Sequence, residues 1–459
     1  MAKWKAPCTV RIDGLDERAS TGVDAEGRRW KVRNGPVGAD LHVAPGRNQT
    51  ARRLAVERPA PEAVDPRCPV FGVCGGCQLQ EMPLEAQRQA KQALVTRLVA
   101  PLVPPLDDEE GVVVHPIRGA PAAYHYRNKL ELSFSPRRFV PEGEPAPPPG
   151  GSWLGFHPPG WFAKVVPIPG CPLGTPTMNR LIAEVAAAAP EPAWDTLAGA
   201  GGWRHLVLRE DTYGRLLVTL VTSATVTGEQ VEALAARFIE WPEVRTVLHV
   251  VNDGVAEVAT GRIAAVLKGA PTLEMTIGAP AGPLHLSLPH DGFFQVNTAG
   301  SERLFAVIDE ALGDTKGTLL DLYCGVGVIG LSLAHRYARL IGVELHAGAI
   351  EIARENARRN HIQGEWTAGT VEAVLPTLRL EGPLAVVVDP PRAGLHPSAA
   401  RFLAGLPADV LVYVACNPAS LGRDRAVLAE GGWRLEALWS VDLFPQTPHV
   451  EAIGRFVRG

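Results

Sequence analysis

From about residue 290 the apolar positions of this chain alternate between two patterns. TLLDL at 318–322, RLIGVE at 339–344, LAVVV at 384–388 and LVYVA at 411–415 are continuous, largely β-branched runs of strand length. Strands buried on both faces of a parallel sheet read this way. Between them AGAIEIARENARRNHI repeats its apolar residues at helical spacing. The alternation predicts an α/β, Rossmann-like doubly wound domain over 289–459, closed by a β-pair near 432–457.

Upstream the grammar differs. CTVRIDGL, RRWKVRNG, ADLHVAPG and a basic strand near 51–58, with a turn expected at Thr21-Gly22, predict a small OB-like β-barrel over 1–62. An α+β domain is expected over 63–288. It has an amphipathic helix at 83–99 opened by Pro83 and a hairpin of YRNKLELSFSPRR with GSWLGFHPPGWFAKVV. A helix at 176–190 and three strands after residue 200 complete it. The hairpin's Pro-rich connection, 139–151, is expected to be mobile.

Two strand ends carry the chemistry. LAVVV runs into Asp389-Pro390-Pro391-Arg392, and LVYVA into Cys416-Asn417-Pro418. A thiol at a strand end and helix start can be activated as a thiolate, although a buried free cysteine is more often a small hydrophobe. The turn Cys324-Gly325-Val326-Gly327, with Gly330 following, allows a ligand close to the backbone. Glu344, 23 residues after Asp321, closes the next strand where ribose hydroxyls would be gripped. The glycines alone fit NAD as well as S-adenosylmethionine. No hydride-transfer group follows, and Asp389-Pro390-Pro391-Arg392 resembles the motif of nucleotide-modifying methyltransferases, so S-adenosylmethionine is the expected ligand. Glu451 begins an apolar strand, as a solvated edge residue or a general base.

Composition narrows the class. The 459 residues are 46% hydrophobic and 20% charged, with net charge −4, an ordinary globular balance. There is neither an 18-residue apolar run nor a signal-like start, so a cytoplasmic protein without a membrane partner is expected. Residues 1–60 hold 12 Lys+Arg against 7 Asp+Glu, or +5, leaving −9 for the remainder. A basic module on an acidic body suits local contact with a polyanion. Arg28, Arg29, Lys31, Arg33, Arg47, Arg52 and Arg53 are its candidate contacts. Trp30 is either a stacking residue or core. Arg127, Lys129, Arg137 and Arg138 of the middle region either serve RNA or solvate a sheet face.

Seven cysteines in a cytosolic setting argue against a disulfide framework. Cys68, Cys74 and Cys77 are spaced x5/x2 among Gly72, Gly75 and Gly76, and Cys171 in another Pro/Gly turn is the natural fourth ligand. Four thiolates suit a structural zinc or an iron–sulfur centre, and the spacing favours neither strongly.

Several motifs occur in order: CPVFGVCGGCQLQ, YRNKLELSF, GFFQVN at 292–297, DLYCGVG at 321–327, DPPRAG at 389–394, CNP at 416–418 and TPHVE at 447–451. Together they make the chain similar to the RNA uracil-C5-methyltransferase family, in particular to members with an N-terminal TRAM domain and a [4Fe–4S] cluster. The resemblance implies Cys416 as nucleophile and Glu451 as base. It implies S-adenosylmethionine held by Gln295, Tyr323, Glu344 and Asp389, and the cluster held by Cys68, Cys74, Cys77 and Cys171. A monomer acting on 23S rRNA is expected, with tRNA as the alternative substrate. The competing readings are an RNA-folding factor with a vestigial methyltransferase domain and an RNA cytosine-C5 enzyme.

Overall fold

The computed structural model describes residues 6–99, 111–141, 143, 145 and 150–458. Strands Thr318–Leu322, Arg339–Glu344, Glu365–Ala368, Leu384–Val388 and Val410–Ala415 are mutually parallel. They stand in the order 365–368, 339–344, 318–322, 384–388, 410–415. The order reverses at 318–322, so a crevice opens between the C-terminal ends of 318–322 and 384–388, the usual ligand position in such a sheet. Glu451–Arg458 adds antiparallel to 410–415, and Trp433–Asp442 pairs outside it.

Two segments from far upstream complete this sheet's surroundings. Val113–Val114 and Arg118–Gly119 lie parallel to Trp433–Asp442 at its edge. The helix Leu84–Val99, expected in the middle of the molecule, buries Leu94, Val95 and Val99 in the core beneath this sheet. The hairpin Thr272–Ala279/Gly282–Pro289 also contributes Leu273, Met275, Leu286 and Leu288 to a core shared with strands 318–322 and 384–388.

A seven-stranded sheet runs 166–167, 153–156, 129–135, 203–210, 216–222, 244–251, 262–268. Helices Pro176–Ala188 and Gly228–Ala235 pack against it. Each starts on a threonine cap, Thr175 or Thr227, whose hydroxyl accepts a first-turn N–H. The expected mobile connection lies partly outside the described residues.

Residues 8–58 form a closed five-stranded barrel. The turn expected at Thr21-Gly22 falls instead at Asp16–Ala19, where Asp16 N–H bonds Ala19 O. Gly22 is mid-strand, and glycine is required there because a Cβ would come within 2.3 Å of Arg11 O. Trp30 is core rather than a stacking residue: it is buried, and Nε1 donates to Asp24 at 2.9 Å. The basic face is largely neutralised. Arg28 pairs with Asp24, Arg29 with Asp13, Lys31 with Asp16, and Arg53 with Glu81. Arg137 likewise pairs with Asp195 and Lys129 with Glu131.

Among the described residues no helix is long and apolar enough to cross a membrane.

Candidate active site

The strand ends meet at one side of the crevice. Cys416 follows strand Val410–Ala415, and Asn417 caps the next helix, Pro418–Glu430, by accepting from Ala419 N–H. Asn417 Nδ2 also donates to Arg392 O at 3.2 Å, tying the CNP turn to the DPPR turn. The helix returns a second tie, because Asp424 accepts from Leu395 N–H at 2.8 Å and from Tyr413 OH at 2.7 Å. Gly394 has φ +84, and a Cβ there would meet Asp424 at 2.6 Å, which explains the glycine of DPPRAG.

Antiparallel pairing of Ala415 with Ala452 leaves Cys416 and Glu451 opposite each other one step on. Glu451 is buried, and loss of water followed by the nearby Asp389 charge pushes its carboxyl up to about 8, with Arg392 opposing. Burial, then Glu451 and Asp389, push the Cys416 thiol up to about 11, again against Arg392. Desolvation raises Asp389 to about 7.

Across the crevice Asp321 is fully buried. Its Oδ2 accepts from Gly330 N–H at 2.8 Å, while Oδ1 has no partner. Burial raises this carboxyl to about 7 despite the bond from Gly330. Gly330 serves packing, since a Cβ would lie 2.8 Å from Asp321 Oδ2. Glu344 accepts from Gly325 N–H at 3.1 Å and from His346 N–H at 2.9 Å, so it holds the glycine turn itself. Tyr323 is left-handed at φ +61, an uncommon state for a non-glycine residue. Cys324 is buried in the apolar core, the ordinary fate of a free thiol.

The structure therefore brings Asp389, Cys416 and Glu451 together, with Glu344 and Tyr323 at the neighbouring strand ends. Gln295 lies before helix Thr298–Leu312, where its carbonyl accepts from Asn128 Nδ2 at 3.0 Å. Among the described residues no side-chain bond joins it to the strand-end group. Asp321 and His449 were not singled out as site residues by the sequence. His449 is kept neutral by burial and by Arg392, with its pKa lowered to about 4. Only its position two residues before Glu451 hinted at it.

The four expected cysteine ligands line a separate cavity of about 410 Å³, together with Arg33 and Arg127. Its walls are pinned by side chains. Cys68 N–H donates to Gln80 Oε1 at 3.0 Å, and Asn179 bonds both the N–H and the C=O of Cys171. Burial raises the Cys74 thiol to about 11 and the Cys77 thiol to about 12. Among the described residues no three His, Cys, Asp or Glu side chains converge on a point as ligands of a metal ion.

A family model described as tRNA (uracil-5-)-methyltransferase matches residues 280–366 and 381–457. A protein of Chlorobaculum tepidum described as an uncharacterized RNA methyltransferase is 34% identical over 441 residues, covering 92% of this chain and 89% of its own. One of Caldanaerobacter subterraneus subsp. tengcongensis, described in the same words, is 32% identical over 463 residues and covers 97% of both chains. Among solved structures, the tRNA (uracil-54, C5)-methyltransferase of Pyrococcus abyssi in complex with S-adenosyl-L-homocysteine shares the fold. Its TM-score is 0.74 over 97% of this chain and 99% of that one, at 24% identity. With the family model spanning the strand-end residues and relatives matched along nearly the whole length, the chain belongs to the RNA uracil-C5-methyltransferase family and is an RNA methyltransferase.

Proposed function

We propose that the protein methylates C5 of a uridine in RNA using S-adenosylmethionine, with Cys416 as nucleophile and Glu451 as base. The observation that carries this reading is the register that sets a thiol opposite a desolvated carboxyl at the C-terminal end of the sheet. C5 of uracil is too weak a nucleophile to take a methyl group directly. Cys416 gives up its thiol proton to solvent and adds as the thiolate to C6, the displaced electrons pass to the C4 oxygen as an enolate, and C5 becomes nucleophilic. Bound S-adenosylmethionine supplies a methyl group on an electron-poor sulfonium. Glu451 then takes the C5 proton, and the C6–S bond breaks to release Cys416. The ring must be unstacked for this, so a flipped or single-stranded uridine is the substrate.

The crevice fits a cationic cofactor. Asp321 has an unpartnered buried oxygen, and Asp321 and Asp389 are both pushed up to about 7 by desolvation. A nearby sulfonium or ammonium would favour their charged forms. Gln295, Tyr323, Glu344 and Asp389 would hold it.

Cys68, Cys74, Cys77 and Cys171 would hold a [4Fe–4S] cluster in a structural role. The donor set fits, and cationic Arg33 and Arg127 line the cavity beside thiols that burial keeps protonated. Arg127 Nε is buried without a partner there, and the Gln80 side chain already reaches the Cys77 thiol, so both can donate to anionic sulfur. Thiols spread around a cavity suit a cluster better than a single zinc ion.

The RNA is 23S rRNA on the resemblance of the four-cysteine segment, and the family model's own description favours tRNA as the second reading. Tritium release from RNA labelled at uridine C5 tests the reaction. Mapping 5-methyluridine in rRNA and tRNA of a deletion strain identifies the substrate. Absence of tritium release from either RNA would return the chain to the folding-factor reading.

A further inference from the structure

The segment between strands Trp433–Asp442 and Glu451–Arg458 delivers Glu451, and it is held by groups outside the reaction. Gln446 is its centre. It is buried, and its backbone is left-handed at φ +72, a state that a non-glycine residue keeps only when its surroundings impose it. Those surroundings are specific. Gln446 N–H donates to Gln87 Oε1 at 2.8 Å, and Gln87 Nε2 returns a bond to Gln446 Oε1 at 2.9 Å. Gln446 O accepts from Gln78 N–H at 2.9 Å and Leu79 N–H at 3.1 Å. Those two residues directly follow Cys77.

One turn along helix Leu84–Val99 from Gln87, Lys91 Nζ reaches Asp442 Oδ1 at 2.5 Å and Phe444 O at 3.0 Å. Residues i and i+4 share a helix face, so one face grips the segment at its start and its middle. Tyr126 OH donates to Pro445 O at 2.9 Å and Asn297 Nδ2 to Leu443 O at 2.8 Å. Gln87 and Lys91 are completely buried, and none of their side-chain hydrogen bonds among the described residues is to Cys416, Asp389 or Glu451. A buried amide pair is costly to leave half made, so the segment has one well-defined arrangement.

We propose that Gln87 and Gln446 are positioning residues. Their amide pair fixes residues 443–450, aims Glu451 at the C5 proton, and couples that segment to the backbone after Cys77. This rests on the assignment of Glu451 as base, and it predicts that loosening the pair impairs the step after methyl transfer more than the step before it.

The experiment uses the full-length protein with RNA and methyl-labelled S-adenosylmethionine, comparing wild type with Gln87→Met, Gln87→Glu and Gln446→Gly. Quenched-flow separates formation of the covalent RNA adduct from its breakdown, and hydrogen exchange by mass spectrometry follows residues 443–450 and 77–79. Gln87→Met removes both bonds to Gln446 at nearly constant volume, together with those that Gln87 Nε2 donates to Leu79 O and Met82 O. Adduct breakdown should slow about tenfold to a hundredfold, the scale of a small misplacement of a reacting group, while formation, which does not use the base, changes far less. Exchange should rise in both segments. Gln87→Glu retains the acceptor for Gln446 N–H and should recover part of the protection. Gln446→Gly relieves the left-handed strain but loses the side-chain pair, and should reproduce the breakdown defect even if Gln87→Met fails to fold. Equal slowing of both steps, or unchanged exchange at 443–450, overturns the proposal. A wild-type protein that forms no adduct at all sinks the assignment of Cys416 and Glu451 instead, and the exchange data still decide whether the amide pair holds the segment.

Discussion

Cys416, just past the end of strand Val410–Ala415, stands opposite Glu451, the first residue of the antiparallel strand Glu451–Arg458, one step past the Ala415–Ala452 pair. Burial raises both; the Glu451 charge is the next largest influence on the thiol, and the Asp389 charge the next largest on Glu451. The two roles proposed for them fall on opposite sides of methyl transfer, so their substitutions separate. Cys416→Ala should form no covalent RNA adduct and transfer no methyl group. Glu451→Gln should add to C6 and methylate C5, then stall as a methylated RNA–protein adduct that survives denaturing electrophoresis. Removal of a general base costs roughly 10²–10⁴-fold, so slow turnover remains. Methylation by Cys416→Ala would rule out the thiol mechanism.

Glu451 also sets a pH dependence. Its folded value of about 8 lies above its ordinary 4.5, and Asp321 and Asp389 at about 7 lie above 3.8. Raised carboxyls favour the folded state while protonated, so this stability is complete below about pH 4 and is lost as pH rises through 7 to 8. The melting temperature of the cofactor-free protein should reflect that trend, and Asp321→Asn should flatten it. Adduct breakdown should accelerate up to about pH 8, as the base deprotonates. A breakdown rate independent of pH between 6 and 9 would remove Glu451 from this step.

Protein purified without oxygen should be brown, with about four irons per chain, as four-thiolate ligation of a [4Fe–4S] cluster requires. Cys171→Ser should lose the iron and loosen the turn that Asn179 holds. Stoichiometric zinc with no visible absorbance would replace the cluster by a zinc site.

The methyltransferase-type sheet was legible because buried parallel strands read as unbroken apolar runs ending in Asp389 and Cys416. That Cys68, Cys74 and Cys77 lie together was legible from their spacing, and that Cys171 joins them at one cavity from its Pro/Gly turn. Gly22 was misread as a turn because a glycine needed for close backbone approach looks the same in sequence as one needed for a bend. The surroundings of Glu451 were not legible at all. Gln87 and Gln446 are 359 positions apart, and Lys91 and Asp442 are 351 apart. On paper Gln87 and Lys91 belong to the polar side of an amphipathic helix, yet both are buried. Only tertiary partners make that tolerable.

Lys91 and Asp442 make that dependence measurable. Both side chains are fully buried, and desolvation lowers the Lys91 pKa while Asp442 opposes it. Lys91→Met leaves Asp442 without its closest cation, with Arg88 4.0 Å away. It should destabilise by ~3–5 kcal/mol, the scale for breaking a buried pair from one side. Lys91→Met with Asp442→Leu should recover much of that loss. Chemical denaturation of wild type, Lys91→Met, Asp442→Leu and the double variant closes the cycle, and equal losses in Lys91→Met and the double variant would show that packing, not charge, is at stake.

Glu344 has two possible duties, and one substitution series separates them. In the cofactor-free protein its carboxylate accepts from Gly325 N–H and His346 N–H, which shapes the glycine turn. Its second, proposed duty, at the end of the second strand, is to accept from ribose hydroxyls of S-adenosylmethionine. Glu344→Ala removes both and should weaken cofactor binding by ~1–3 kcal/mol, the scale for leaving hydrogen-bonding groups unpaired. Glu344→Gln keeps one acceptor oxygen and the length of the side chain. If Glu344 acts mainly by holding the turn, the amide keeps one of those two bonds and most of the affinity. If it grips two ribose hydroxyls, the amide offers one acceptor where two are needed, and affinity falls nearly as far as in Glu344→Ala. Calorimetry with S-adenosylmethionine and with a 2′-deoxyribose analogue distinguishes the cases. In the ribose case wild type discriminates between the two ligands and Glu344→Ala does not. Undiminished discrimination in Glu344→Ala would confine Glu344 to shaping the turn.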